Sequence, residues 1–211
     1  MDLLVQAFAA AVARFRAWAD AYPPGERFDG WESAYGAWPE LYGAFTTFVR
    51  ANSWRQWNET TSQALLYAIA RDNEMAELVK VVAENPDDLL HLAEQAVAFP
   101  DPDARWQIVV ELSCLEPQPP QVEPLLLQFA QDEDEYVKRR ALMALADVGS
   151  AQVADLVRRA WDTGDEYQRI AAIYALDVIG SPELDTYLAR AQADGREQLF
   201  EYASRIRATD S

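Results

Sequence analysis

Carboxylates are the reactive groups this sequence offers in quantity: thirty-five aspartates and glutamates stand against eighteen lysines and arginines, one histidine and one cysteine. Two dense clusters, Asp101-Pro102-Asp103 and Asp132-Glu133-Asp134-Glu135, have the composition of an acid–base pair or of a calcium loop. The calcium reading fails on spacing, because such a loop needs acids at alternate positions, a glycine at its turn and a closing glutamate. No glycine-rich phosphate loop, paired CxxC, HExxH or GxSxG accompanies the acids. The single histidine, His91, lies in the leucine-rich run Asp88-Leu89-Leu90-His91-Leu92. A catalytic base needs a nucleophile and an orienting partner, so His91 reads as a packed or rim residue. Cys114, within Val110–Leu115, has no base near it in sequence and reads as a small buried hydrophobe rather than a thiolate. The expectation is no catalytic residues, no metal and no cofactor.

What the acids do instead follows from where they fall. Acids favour helix N-termini, where the macrodipole stabilises them, and both dense clusters suit that use. Capping does not account for Glu77, Glu84, Glu94, Glu111, Glu116 and Glu123, which read as lying within helices or at their far ends. Of the net charge of −17, residues 58–135 carry −14, as seventeen acids against Arg71, Lys80 and Arg105. Such a field repels phosphate backbones and anionic headgroups and attracts basic surfaces, so nucleic acid and membrane are not expected as ligands. The candidate partner-binding residues are Glu77, Glu84, Asp87, Asp88, Glu94, Asp101, Asp103, Glu111, Asp132, Glu133, Asp134 and Glu135. Trp54 and Trp57 join them, flanking Arg55-Gln56 ahead of the polar helix start Asn58-Glu59-Thr60-Thr61. Tryptophan at a loop edge serves either as an interface anchor or as a corner-packing residue.

The elements that must position these groups are helices. Residues 134–150 align without gaps to residues 165–181, with eight of seventeen positions identical at a spacing of 31 residues. A step back reaches Asp101–Val110, which keeps the acidic turn; a step forward reaches Glu197 and Ala203, a fading copy that suits a terminal cap. Each unit reads as two helices, such as Ala151–Trp161 and Glu166–Ile179, the second closed by Gly180. That second helix is apolar on two faces, as a helix packed between neighbours must be. Ser181-Pro182-Glu183 and Asn85-Pro86-Asp87 each read as an N-cap followed by proline at the first helical position. Pro100, Pro102, Pro117, Pro119, Pro120 and Pro124 fall between helical patterns, and no alternating strand pattern of useful length occurs. The first 57 residues hold five of the seven tryptophans, and Leu4, Phe8, Ala11, Phe15, Trp18 and Tyr22 form one stripe of an amphipathic helix. Ala11-Val12-Ala13 has the small residues of a signal-cleavage site, but Met1-Asp2-Leu3-Leu4 supplies no basic start. No run of eighteen apolar residues follows.

A helix, an acidic turn, then (V)-(K/R)-x-x-A-x-x-A-L-x-x-(V/I)-G resembles the HEAT repeat, especially the short bacterial form related to phycobilin-lyase repeats. The resemblance covers residues from about 86 to 207. It implies that the second helix of each unit lines a concave face. It also implies that turn acids and a basic residue, here Lys138 and Arg169, tie neighbouring units together. Gln168 and Gln107 depart from the pattern and leave the ladder incomplete there. The expected fold is an all-α, right-handed α-solenoid of HEAT-like hairpins. Residues 1–60 form an atypical aromatic-rich cap and residues 61–211 the repeats. The clearest units are 101–119, 123–150 and 151–181, with a terminal cap at 182–211, in one continuous domain.

The functional expectation is a non-enzymatic scaffold with an acidic surface, most concretely an immunity or inhibitor protein that neutralises a basic toxin domain. The alternatives are a chaperone- or lyase-like protein handling a cofactor or chromophore in the aromatic N-terminal part, and a general intracellular scaffold. One cysteine permits no intramolecular disulfide and suits a reducing compartment, so a cytoplasmic monomer is expected.

Overall fold

The computed structural model describes residues 3–28 and 30–209, the last by its backbone alone. Met1 and Asp2, where the reading of the N-terminal start rests, lie outside the described residues, as does Asp29 of the loop after Tyr22. Twelve α-helices and no strand occur among the described residues. The fold is all-α, as expected. It comprises two compact units, Met1–Glu111 and Leu112–Ser211.

The first unit holds α1 (Leu3–Ala21), α2 (Trp38–Ala51), α3 (Glu59–Arg71), α4 (Glu77–Ala83), α5 (Pro86–Ala96) and most of α6 (Pro102–Ser113). Helix α1 packs on α2 and α3 and buries Phe8, Ala11, Val12, Phe15 and Ala19, the face its stripe predicts. Phe8 stacks on Phe48 at 5.0 Å and meets Phe45 edge-on at 5.6 Å. Phe15 meets Tyr35, Trp38 and Tyr67 at 4.7–6.1 Å. Each such pair adds about 0.5–1.5 kcal/mol beyond its buried area. Phe8, Phe15, Tyr35, Phe45 and Phe48 are therefore packed core, with Trp18, Trp31, Trp38 and Tyr42 half-buried around them.

Helix starts in this unit follow their side chains. Asn58 caps α3 by accepting the Thr61 N–H at 2.9 Å, and Asn85 with Pro86 opens α5 as the sequence predicts. The N-cap of α4 is Ala76, which adopts a left-handed φ of 51°. Asp72 does the capping in its place, its Oδ2 accepting the N–H groups of both Glu77 and Leu78 at 2.8 Å. Gln107 on α6 reaches α3, donating from Nε2 to the Ile69 carbonyl at 2.7 Å.

The second unit consists of three hairpins: α7 (Val122–Phe129) with α8 (Glu135–Asp147), α9 (Val153–Asp162) with α10 (Glu166–Val178), and α11 (Leu184–Asp194) with α12 (Glu197–Thr209). The second helix of each hairpin stacks on the next, α10 touching both α8 and α12. Ala171, Ala172, Ile173, Ala175 and Leu176 are accordingly all buried. Asp134 and Asp165 cap α8 and α10 through the Val137 and Gln168 N–H groups. Gly149 and Gly180 close these helices at φ 71° and 61°. There the following serine N–H turns back to the carbonyl of Leu145 or Leu176, at 2.9 Å in both.

Three local expectations are corrected. Helix α11 begins at Leu184, not after Ser181, because Pro182 and Glu183 form a turn closed by the Leu184 N–H on the Ser181 carbonyl at 3.1 Å. The Ser181 hydroxyl instead holds a turn by accepting the Glu183 N–H at 3.2 Å. Pro124 lies in the first turn of α7 rather than between helices, a place where a missing N–H costs nothing. Cys114 is exposed, since α6 ends at Ser113 and the chain leaves the helix there.

Candidate partner-binding site

The acids singled out from sequence fall into three kinds of environment. Some are engaged by cations: Glu84, at the end of α4, takes a two-pronged contact from Arg50 at 2.5 and 2.8 Å, and Glu77 accepts from Lys80 at 2.8 Å. Others are structural. Asp88 is 2% exposed and accepts the Trp54 N–H at 2.7 Å, so its carboxylate faces inward. Asp101 and Asp132 hold the turns before α6 and α8, accepting the N–H groups of Asp103 and Asp134 at 3.1 and 2.8 Å. Asp103 also accepts from Asn73 and the Trp106 indole. Glu111 is half-buried beside Lys80 and Glu77, and burial pushes its carboxyl above the usual range. Burial does the same to Glu135, which lies 4.0 Å from Arg139. Asp87, Glu94 and Glu133 are exposed. Of the two tryptophans, Trp57 is buried, its indole bonded to the Asn52 carbonyl at 3.2 Å. Trp54 is half-buried between the His91 ring at 5.0 Å and the Arg55 guanidinium at 4.7 Å. Both therefore turn the corner between α2 and α3, with His91 packed against them.

A site that the sequence does not single out lies beside this acidic stretch. A cavity of about 570 Å³ opens among Glu32, Trp38, Tyr42, Arg71, Asp72, Glu74 and Met75, with Gly30 and Ser33 at its edge. Arg71, at the last turn of α3, bridges two carboxylates: Glu32 at 3.0 Å and Asp101. Glu32 sits on a 3₁₀ turn (Trp31–Ala34) and is 3% exposed; burial lifts its carboxyl above the usual range despite the adjacent guanidinium. Trp38 is oriented by donating its indole N–H to the Glu32 carbonyl at 2.8 Å. Tyr42 donates its hydroxyl to Asp72, and burial and that bond push its phenol well above the usual tyrosine range. Glu74 and Met75 stand exposed on the loop between α3 and α4, Met75 at 64%. Gly30 makes room for this loop: at φ 74° it tolerates the left-handed turn, and a Cβ there would lie 3.2 Å from Glu74 Oε1. The one signal in sequence was Arg71 itself, one of three cations against seventeen acids in this stretch.

The arrangement offers carboxylates and aromatic faces without a nucleophile–base pair. No group of three or more His, Cys, Asp or Glu side chains is placed to hold a metal ion among the described residues. No described helix is long and apolar enough to cross a membrane.

In the second unit the inter-repeat ladder is present in part. Arg169 donates to the Trp161 carbonyl at 3.1 Å and to Asp194 at the end of the next hairpin's first helix. Lys138, in the equivalent place on α8, shares a cleft of about 280 Å³ with Thr163, the residue that stands where Asp194 does one repeat later. Gln168 replaces its missing apolar contact with a 3.3 Å bond from Nε2 to the Glu135 carbonyl. Arg139 lies between the rings of Tyr136 and Tyr167, 4.5 and 4.7 Å from their centres.

Residues 89–177 and 122–204 each match the family model for HEAT repeats. The two matches overlap and together take in more than half of the chain, starting at α5 and ending within α12. No curated protein and no solved structure matches it. The stacked hairpins, the capped acidic turns and the family match agree, and the chain belongs to the HEAT repeat family.

Proposed function

We propose that this chain is a protein-binding scaffold whose first unit captures a basic partner. The observation that carries the reading is the fate of the three cations within residues 58–111. Arg71 is held by Glu32 and Asp101, Lys80 by Glu77, and Arg105 is buried with its guanidinium on the Phe99 carbonyl. Glu59, Glu74, Asp87 and Glu94 are exposed and gain no compensation from them. A surface of this kind speeds encounter with a basic protein and loses grip as salt rises.

The concrete form we favour is an inhibitor of the immunity type, laid over the cationic surface of a toxin domain such as a nuclease. Phe8, Phe15, Phe45 and Phe48 are packed into core, so a chromophore held by the N-terminal aromatics would have to use Trp38 and Tyr42, the two that line a cavity. The test is affinity capture with the intact chain at about 20 mM and about 500 mM salt, where the Debye length falls from roughly 20 Å to roughly 4 Å. A basic protein retained at the low concentration and released at the high one is expected. Equal retention at both would sink electrostatic capture. A nuclease domain encoded beside this chain should lose activity on mixing, and an unaffected nuclease would remove the inhibitor form.

A further inference from the structure

The cavity beside Arg71 has features that a general acidic surface does not. We infer that it is an anchor pocket for one arginine side chain of the basic partner, a reading that rests on the proposed function above. Its size, about 570 Å³, lies within the range of pockets that enclose a ligand group. Trp38 and Tyr42 line it, and aromatic rings attract a guanidinium by cation–π interaction. Glu74 supplies an exposed carboxylate that forms no hydrogen bond or ion pair with any described residue. A planar guanidinium suits this pairing of ring and carboxylate better than a compact ammonium does.

The sign of the ligand follows from the lining. Arg71 is the cavity's one cation, and Glu32 and Asp101 already hold it. Asp72 is buried and its carboxylate is taken by Tyr42 and the start of α4, so Glu74 is the lining carboxylate left for a ligand, and it favours a positive group over an anion. The backbone around Glu74 supports the same conclusion. Ala76 takes a left-handed φ of 51°, which is unfavourable for a residue with a Cβ. Its N–H is held on the Asp72 carbonyl at 2.7 Å, and the resulting loop lifts Glu74 and Met75 to the cavity rim. Local strain and an exposed methionine at a pocket mouth are features of binding sites.

The experiment uses the whole chain and three blocked pentapeptides with a central arginine, lysine or citrulline between glycines. Amide and indole resonances are followed by NMR during titration. The arginine peptide should shift the Trp38 indole and the amides of Gly30, Glu74 and Met75. Lysine should bind several-fold more weakly and citrulline at least tenfold more weakly. Glu74→Gln, an exposed substitution that leaves the fold intact, should weaken arginine binding at least fivefold. Equal shifts with citrulline, or an unchanged affinity in Glu74→Gln, would overturn the anchor. A ten-residue arginine peptide separates the two levels of the argument. If it binds the parent chain and Glu74→Gln alike, the acidic surface stands and the anchor falls. If it does not bind at low salt, both fall.

Discussion

Asp72 carries more structure than any other single side chain in the first unit. Its carboxylate takes the Tyr42 hydroxyl and the first two N–H groups of α4, while its own carbonyl takes the Ala76 N–H. Burial pushes its carboxyl above the usual range, and those three bonds pull it back. Asp72→Ala leaves a helix start uncapped and a part-buried hydroxyl without an acceptor. The expected cost is about 2–3 kcal/mol in urea denaturation, combining a lost cap with an orphaned donor. Tyr42→Phe removes one bond only and should cost about 1 kcal/mol. If Asp72→Ala costs no more than Tyr42→Phe, the cap on α4 contributes nothing. None of this was legible in sequence, where Asp72 is one acid among seventeen and the helix start lies five residues away.

At the scale of elements, the repeats of the second unit differ in how the basic residue after the acidic turn is paired, and that difference makes a prediction. Thr163 already performs the turn-forming task of Asp132 and Asp101: its hydroxyl accepts the N–H of the residue two positions on, at 3.2 Å. What it lacks is a charge for Lys138, which faces the same cleft. Thr163→Asp keeps the accepted bond of the turn, gives up the hydroxyl's donation to the Ala160 carbonyl, and supplies the carboxylate that Arg169 finds in Asp194. It should stabilise the chain by about 0.3–1 kcal/mol at low salt and lose that gain at high salt. Thr163→Asn is the uncharged control; a gain equal to the aspartate's would assign the effect to the turn. The repeat was readable beforehand because α8 and α10 use the same acidic turn, the same closing glycine and the same spacing, and the ladder was what its resemblance to HEAT repeats implied. The first unit was not, for a physical reason. Its α6 bonds to α3 through Gln107, with α4 and α5 intervening in the chain. A step of 31 residues back from α6 lands on residues 71–82, the loop after α3 and the start of α4, so neighbours in space no longer sit one period apart. Cys114 was misread for a simpler reason: it stands between the apolar Leu112 and Leu115, but α6 ends at Ser113 and the exit of the chain turns it outward.

Over the whole molecule, charge acts on stability and on binding with opposite signs. A net charge of −17 makes the folded chain repel itself, so added salt should raise Tm at pH 7.5 while it weakens capture of a basic partner. The pH dependence follows from individual groups. Burial raises the folded carboxyls of Glu32, Asp72, Asp88, Glu111 and Glu135 above their unfolded values. A raised acid disfavours folding when ionised, and that cost is relieved as pH falls through the folded value. Asp194 is the reverse case. Hydrogen bonds from Arg196, with Arg169 alongside, lower its carboxyl to about 2. Its contribution is complete above the unfolded value of about 4 and is lost between about 4 and about 2. Tm should therefore rise from pH 8 to about pH 5 and fall below about pH 4, as calorimetry across that range would show. Arg196→Met and Arg169→Met should flatten the acid limb without changing the rise above it. A Tm that falls steadily from pH 8 to pH 5 would mean that buried, partnered carboxylates gain more from their bonds than burial costs them. The buried acids would then be a source of folding stability, distinct from the exposed acids proposed to meet a partner.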